Sequence, residues 1–345
     1  MAGRRTLCET KSILIIKWCC GVLALALAVV SLCIPAAVCA QNAWKPERAV
    51  EIVVPTTPGG AIDGAARTIQ KVAQANRLVG VPMVVVNKPG GGQTIAMNYL
   101  DQKAGDGNLF IVSTMSIMSN HILGRSKSNY TDYTALAVLY GEPMTLVVRP
   151  DSPLKSGRDV QEHLKKDPKS LSLAIGIALG GTNHLAVALV MRAMGIDVKA
   201  LKTVVFQANG DTQTALMGGH VDLAPLSLAA AQAALQQGKV RILGITTAQR
   251  GDGPLASIPT WKEQGFDVQF TNTRFLLAPR GLNAAQTSYW DSIFSRMVET
   301  EEWKADVNKN DLIMDFHSSK QSPERLAGMY RQIKTALIDV GLAKE

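Results

Sequence analysis

A short apolar run, a glycine-rich turn and then a helical pattern recur along this chain, and that repeat constrains the fold more than any other feature. Residues 50–55 (VEIVVP) run into the turn TTPGG. Residues 61–75 follow, with Ile62, Ala65, Ala66, Ile69 and Val72 at helical spacing. Residues 82–87 (PMVVVN) close on KPGGG, ahead of a helix at 94–103 and a third strand at 109–114 (LFIVST). Buried strands alternating with helices predict a parallel sheet with helices on its faces. A second block repeats the pattern. Strands at 145–149, 171–175, 202–206, 221–224 and 240–246 alternate with helices at 156–166, 184–194, 212–217 and 229–237. A strand at 276–279 and two long amphipathic patterns, 284–308 and 323–340, close the chain. No linker separates the blocks. They read as two Rossmann-like α/β lobes joined by crossover strands near 142–149 and 240–250. This division puts residues 44–141 and 251–345 in one lobe and 142–250 in the other.

The 345 residues suffice for two such lobes at ~100–200 residues each. With 47% hydrophobic and 19% charged residues the chain reads as globular. Its N-terminus has a different task. Arg4, Arg5, Lys11 and Lys17 precede the uncharged apolar residues 21–35, a run shorter than the ~20 residues of a spanning helix. Val38-Cys39-Ala40 then offers small residues at a cleavage site. Residues 1–40 therefore read as a secretory signal cut after Ala40. A lipidated Cys39 is disfavoured, because Ala36-Ala37-Val38 lacks the usual leucine. Cys8, Cys19, Cys20, Cys33 and Cys39 all precede the cut. The mature chain then holds no disulfide, thiolate metal site or cysteine nucleophile.

Four glycine turns, at 58–60, 90–92, 180–182 and 209–210, each follow a strand and precede a helix. Ligands of open α/β sheets bind beyond the strand ends, where helix N-termini present free N–H groups and partial positive charge. A small anion fits that setting. The candidate binding residues in the first turn are Thr56, Thr57, Gly59, Gly60 and Asp63. Leaving aside the turn at 90–92, the second candidate turn offers Gly180, Gly181, Thr182 and Asn183, and the third Ala208, Asn209, Gly210 and Asp211. Arg274 could pair a distal carboxylate of the ligand; the alternative is a solvated surface arginine. His184 could orient its loop or touch the ligand.

Other chemistries find less support. Neither TTPGGAID nor NKPGGGQT matches a nucleotide fingerprint. The five histidines show no metal-ligand spacing, no nucleophile elbow occurs, and Asp63, Asp211 and Asp222 are not paired by spacing. No catalytic residue, metal or cofactor is expected. Scattered basic residues and 5% aromatics give nucleic acid no platform. Of the net charge of +8, residues 1–40 hold +3, and the remaining excess of about +5 suits an anionic ligand but is ordinary for a soluble protein.

Several motifs together resemble the substrate-binding receptors of tripartite tricarboxylate transporters, the Bug-type (TctC-like) proteins. The opening strand followed by Pro55, Pro58, Gly59, Gly60, Asp63, Ala66 and Arg67 is one. Val85-Val86-Asn87-Lys88-Pro89-Gly90-Gly91-Gly92, Asp106-Gly107, and Gly181-Thr182-Asn183-His184-Leu185-Ala186 follow in order. Leu216-Met217-Gly218-Gly219-His220-Val221-Asp222, Ile258-Pro259-Thr260 and Leu276-Leu277-Ala278-Pro279 complete the series. The resemblance implies a periplasmic-binding-protein-like "Venus flytrap" with an interlobe ligand cleft. It implies a monomeric periplasmic receptor that captures a small carboxylate and delivers it to transporter membrane subunits, without a cofactor. Departures fall near the expected pocket. Thr56 stands where relatives often carry an aromatic residue, Gln207 replaces a basic one, and Arg274-Phe275 occupies a region that usually holds glycine. Two other readings compete with a transport receptor: a sensing module that presents the solute to a signalling partner, and an exported enzyme acting on a small organic acid.

Overall fold

The first block folds as its pattern predicts. In the computed structural model, which describes residues 44–344 apart from positions 177, 207, 208 and 252 (and only the backbone at 209 and 254), β1 (Val50–Val54) leads into α1 (Ala61–Ala75). β2 (Met83–Asn87), α2 (Thr94–Asp101), β3 (Leu109–Ser113) and α3 (Ser116–Ile122) follow. β1 lies between β2 and β3, parallel to both. The proposed signal at 1–40, with its cysteines, lies outside the described residues, as do Gln207 and Ala208.

The second block begins on β4 (Thr134–Val148), which at fifteen residues is three times the length of β1. It continues through α4 (Gly157–Lys166), β5 (Ser172–Gly176), α5 (Thr182–Ala193), β6 (Lys202–Phe206) and α6 (Asn209–Met217). β7 (Ala224–Ser227), α7 (Leu228–Gln236) and β8 (Arg241–Ile245) complete it. The chain returns through β9 (Thr271–Ala278), α8 (Ala284–Val298), α9 (Glu301–Lys309), β10 (Ile313–His317) and α10 (Ser322–Asp339). The first sheet runs β10-β4-β9-β3-β1-β2, and β5 pairs β6 in parallel.

β4 serves both halves. Thr134 to Pro143 pair with β9, whereas Met144 to Val148 pair with β7 and β8. Pro143 sits at the handover, where a missing N–H is tolerated because the strand is exchanging partners. Thr246 stitches the crossing segments together. Its hydroxyl accepts from the Met144 N–H at 2.9 Å and donates to the Phe270 carbonyl at 2.6 Å. Its own N–H donates to the Met144 carbonyl at 3.0 Å. Apolar packing covers both halves, with Phe110, Trp290 and Phe294 in edge and stacked contact in one and Trp261 against Phe266 in the other. Among the described residues no helix is long and apolar enough to cross a membrane.

The pattern at 284–308 is two helices rather than one. The first ends at Val298, and Thr300 caps α9, its hydroxyl accepting from the Trp303 N–H at 3.3 Å. The strand expected at 221–224 falls three residues later, on β7.

Candidate functional site

Two glycine turns share one construction. At the first, Gly59 has φ +86° and Gly60 is the extended N-cap of α1. At the second, Gly180 has φ +82° and Gly181 is the extended N-cap of α5. The left-handed backbone at Gly59 and Gly180 strains any residue with a Cβ. In both, the positive-φ glycine donates its N–H to the side chain four residues on. Gly59 N–H reaches Asp63 Oδ2 at 3.0 Å, and Gly180 N–H reaches His184 Nδ1 at 3.0 Å. His184 Nδ1 thus accepts, which puts the proton of the neutral ring on Nε2.

Neither N-cap makes a side-chain cap hydrogen bond. α4 and α8, by contrast, begin with complete capping boxes on Ser156 and Asn283. The turns before α1 and α5 are therefore braced from behind and left open in front. The first-turn N–H groups of such a helix have no intrahelical acceptor and favour an anion.

Each brace is buried. Asp63 is 2% exposed and also accepts from Arg67 Nε at 2.8 Å and Asn87 Nδ2 at 2.9 Å. The Arg67 hydrogen bond, with help from Gly59 and Asn87, holds the Asp63 carboxyl down at about 2. Asn87 Nδ2 also donates to the Thr56 carbonyl at 3.0 Å. Burial, reinforced by the Arg125 charge, pushes the His184 imidazole down to about 4. Asp63 is thus committed to holding the loop. Asp63→Asn is expected to cost ~1–2 kcal/mol, the difference between a charged and a neutral acceptor, with Arg67 adding little because its side chain is 54% exposed. Urea unfolding would measure it, and an unchanged midpoint would show that the brace is idle.

The remaining candidates fall into place around these turns. Thr56 Oγ1 is buried without a hydrogen-bond partner among the described residues, and a Cβ on Gly60 would lie 3.9 Å from it. Thr57 is exposed. Asn183 is buried in the first turn of α5. In the third turn Ala208 and the Asn209 side chain lie outside the described residues, while Gly210 and Asp211 stand in the first turn of α6.

The fold is that of the periplasmic binding proteins. The family model described as "Tripartite tricarboxylate transporter family receptor" matches residues 65–339. The chain belongs to this family. A Cupriavidus necator relative, "UPF0065 protein in gbd 5'region", is 25% identical over 308 residues, covering 88% of this chain and 91% of that one. Among solved structures, "R. palustris Rpa4515 with adipate" superimposes with a TM-score of 0.76 at 25% identity, covering 86% of this chain and 99% of that one. "MatC (Rpa3494) from Rhodopseudomonas palustris with bound malate" does so at 0.70, with 25% identity and the same coverage of 86% and 99%. The protein is a solute-binding receptor.

Arg274 of the receptor is no solvated surface residue. Its side chain is 2% exposed and donates through Nη2 to Glu142 Oε2 at 2.8 Å. Asn272 Nδ2 donates to the same oxygen at 3.0 Å, and Thr182 Oγ1 makes a long 3.4 Å contact to Asn272 Oδ1. The structure thus connects Arg274 to the open end of α5 through Glu142 and Asn272. Sequence reading missed Glu142, Asn272 and Asn87 as parts of this framework. The signal for Asn87 was a polar residue ending an apolar strand. For Glu142 it was a lone charge inside one. Asp222, considered earlier as an acid, is spent on Ser172, accepting from its N–H at 2.7 Å and its hydroxyl at 2.6 Å. Among the described residues no cluster of three or more histidine, cysteine or acidic side chains could hold a metal.

Proposed function

We propose that the receptor captures a small carboxylate between the open N-termini of α1 and α5 and delivers it to the membrane subunits of a tripartite tricarboxylate transporter. One observation carries this reading: both helices begin on uncapped glycines, each held from behind by a buried acceptor. Such a site stabilises a carboxylate through backbone N–H groups without a lysine. Thr56, Thr57, Thr182 and Asn183 add neutral donors, Gly59, Gly60, Gly180 and Gly181 keep the backbone accessible, and the turn at 208–211 supplies a third wall. The adipate and malate held by two of the similar structures support the ligand class. The lobes of this reading are residues 44–141 with 251–345, and 142–250, with Trp261 and Phe266 of the returning segment packed on the second. Residues 1–40 direct export to the periplasm, where the receptor works as a monomer. Arg274 acts in this reading as a support for Thr182 and Asn272.

Calorimetry with malate, adipate and monocarboxylates tests the proposal. Thr182→Val and Gly181→Val should each weaken the best carboxylate by ~10- to 100-fold, the ~1.5–3 kcal/mol of one charge-assisted hydrogen bond. Circular dichroism should first establish folding, because a Cβ at Gly181 would lie 3.2 Å from the Ala178 carbonyl. Wild-type affinity in both folded variants would place the pocket elsewhere.

A further inference from the structure

A cavity of about 430 Å³ lies against the crossing strands, and none of the glycine-turn residues lines it. Its floor is Gly141 of β4, Thr271 and Thr273 of β9, and the Thr246 that stitches the crossing segments. Gly141 stands opposite Thr273, and the neighbouring pair Glu142 and Asn272 project from the other face of the strands. The cavity and the Glu142–Arg274 network are therefore on opposite sides of β4 and β9. Its roof is α10, through Arg325, Met329, Gln332 and Ile333, and β10 closes one flank.

The chemistry of the wall is specific. Met115, Phe270, Met329 and Ile333 are all buried and supply an apolar body. Ile313 and Met314, each 40% exposed, extend it to the mouth. The charged wall residues are Asp315 and Arg325, and they neutralise each other. Arg325 donates Nε and Nη2 to Asp315 Oδ2 at 2.9 and 2.7 Å. Neutral hydrogen-bonding groups, on Thr247, Gln269, Thr271 and Gln332, lie at the strand side and the mouth.

We infer that this cavity is a second ligand site, and that it takes an uncharged amphipathic molecule with an apolar body and a hydroxyl or amide end. Its size is that of a small-molecule pocket, roughly 300–1,000 Å³. A carboxylate would enter it without a free counter-charge and pay the cost of desolvation. The two sites thus differ in the sign of their selectivity. The turns favour the anion, and this cavity favours its neutral counterpart.

Three wall residues, Met115, Met314 and Met329, are reporters already in place. In receptor labelled with 13C-methyl methionine, 4-phenylbutanamide should shift all three methyl signals along one saturation curve. Met83 and Met191, buried elsewhere, should stay fixed. The isosteric 4-phenylbutanoate should bind at least about tenfold more weakly, as an unpaired charge in an apolar wall requires. Ile333→Trp should fill the cavity and abolish the shifts, with Met329→Phe as a second filler should the first variant misfold. Gly181→Val should leave the amide's shifts intact. Absence of shifts at the probe's solubility limit, or equal binding of amide and acid, would overturn the assignment. So would loss of the amide signal in Gly181→Val, which would place the probe in the carboxylate site.

Discussion

Replacing Arg274 with alanine is expected to destabilise the receptor by ~3–5 kcal/mol, the cost of breaking a buried ion pair from one side. The guanidinium is 2% exposed and its partner Glu142 10%, so the deletion strands a carboxylate that water cannot easily reach. Asn272 Nδ2 still donates to Glu142 at 3.0 Å, but one neutral donor does not replace a cation. The deleted volume adds a cavity cost. The converse also holds. Exchanging both partners, as Glu142→Gln with Arg274→Met, should recover most of the loss, because a buried pair contributes little net stability over apolar packing. Denaturant unfolding of the two single variants and the double variant would give the coupling directly. A loss below ~1 kcal/mol in Arg274→Ala would mean that the pair is solvated, against its burial.

Acidification should weaken the receptor in a window set by His184. The folded-state value is held down at about 4 by burial and then by Arg125, against an ordinary 6.5. A depressed histidine contributes stability that is complete above the unfolded value and is lost as pH falls toward the folded one. The loss should therefore accumulate between pH 6.5 and 4 and reach ~3 kcal/mol. Protonation removes the Nδ1 lone pair that receives the Gly180 N–H, so the second turn of the folded receptor should loosen only near pH 4 and below. Asp63 acts lower. Its carboxyl is held at about 2 against 3.8, so its contribution is present above 3.8 and fades as pH falls toward 2. Stability measured at pH 7, 5.5 and 4.5 isolates His184. In His184→Asn, which keeps an acceptor but does not titrate, the slope across this window should flatten. An equal slope in both proteins would assign the effect to other groups.

Much of this organisation was legible because it is local. A strand, a glycine turn and an amphipathic helix lie within about 25 residues of one another, and β1 with α1 follows the pattern as read. β4 was not legible over its full length. The apolar pattern showed a strand only at 145–149 with a crossover near 142–149, whereas the strand begins at Thr134 and changes partner from β9 to β7 and β8 past Pro143. β10 was missed for a related reason, since Ile313–His317 is an edge strand with two exposed apolar residues and a register shift against β4. α3 (Ser116–Ile122) is short and carries no side-chain cap, so the residues after β3 gave no start signal. Thr300 did announce the break between α8 and α9, as a Thr-Glu-Glu-Trp start that the longer amphipathic period obscured. Arg274 shows the limit most clearly. The residues before it, Thr271-Asn272-Thr273, are polar, which suggests exposure, but its partner lies 132 residues away. The candidate turns were found from glycine spacing alone. Asp63 and His184 were already candidates there, and the structure shows that each braces its turn by accepting the N–H of the glycine four residues earlier.

In the proposed site two helix N-termini share one carboxylate, and amide-resolved NMR tests that most directly. Malate or adipate should be titrated into 15N-labelled receptor while the first-turn N–H signals of α1 and α5 are followed. Ala61 and Ile62 should move downfield together with Thr182, as their N–H groups gain a charged acceptor, and all three should follow a single saturation curve. The first-turn amides of α4 and α8, already served by the Ser156 and Asn283 capping boxes, should stay in place. Movement at one turn only, or binding that leaves both turns unshifted, would contradict the paired site.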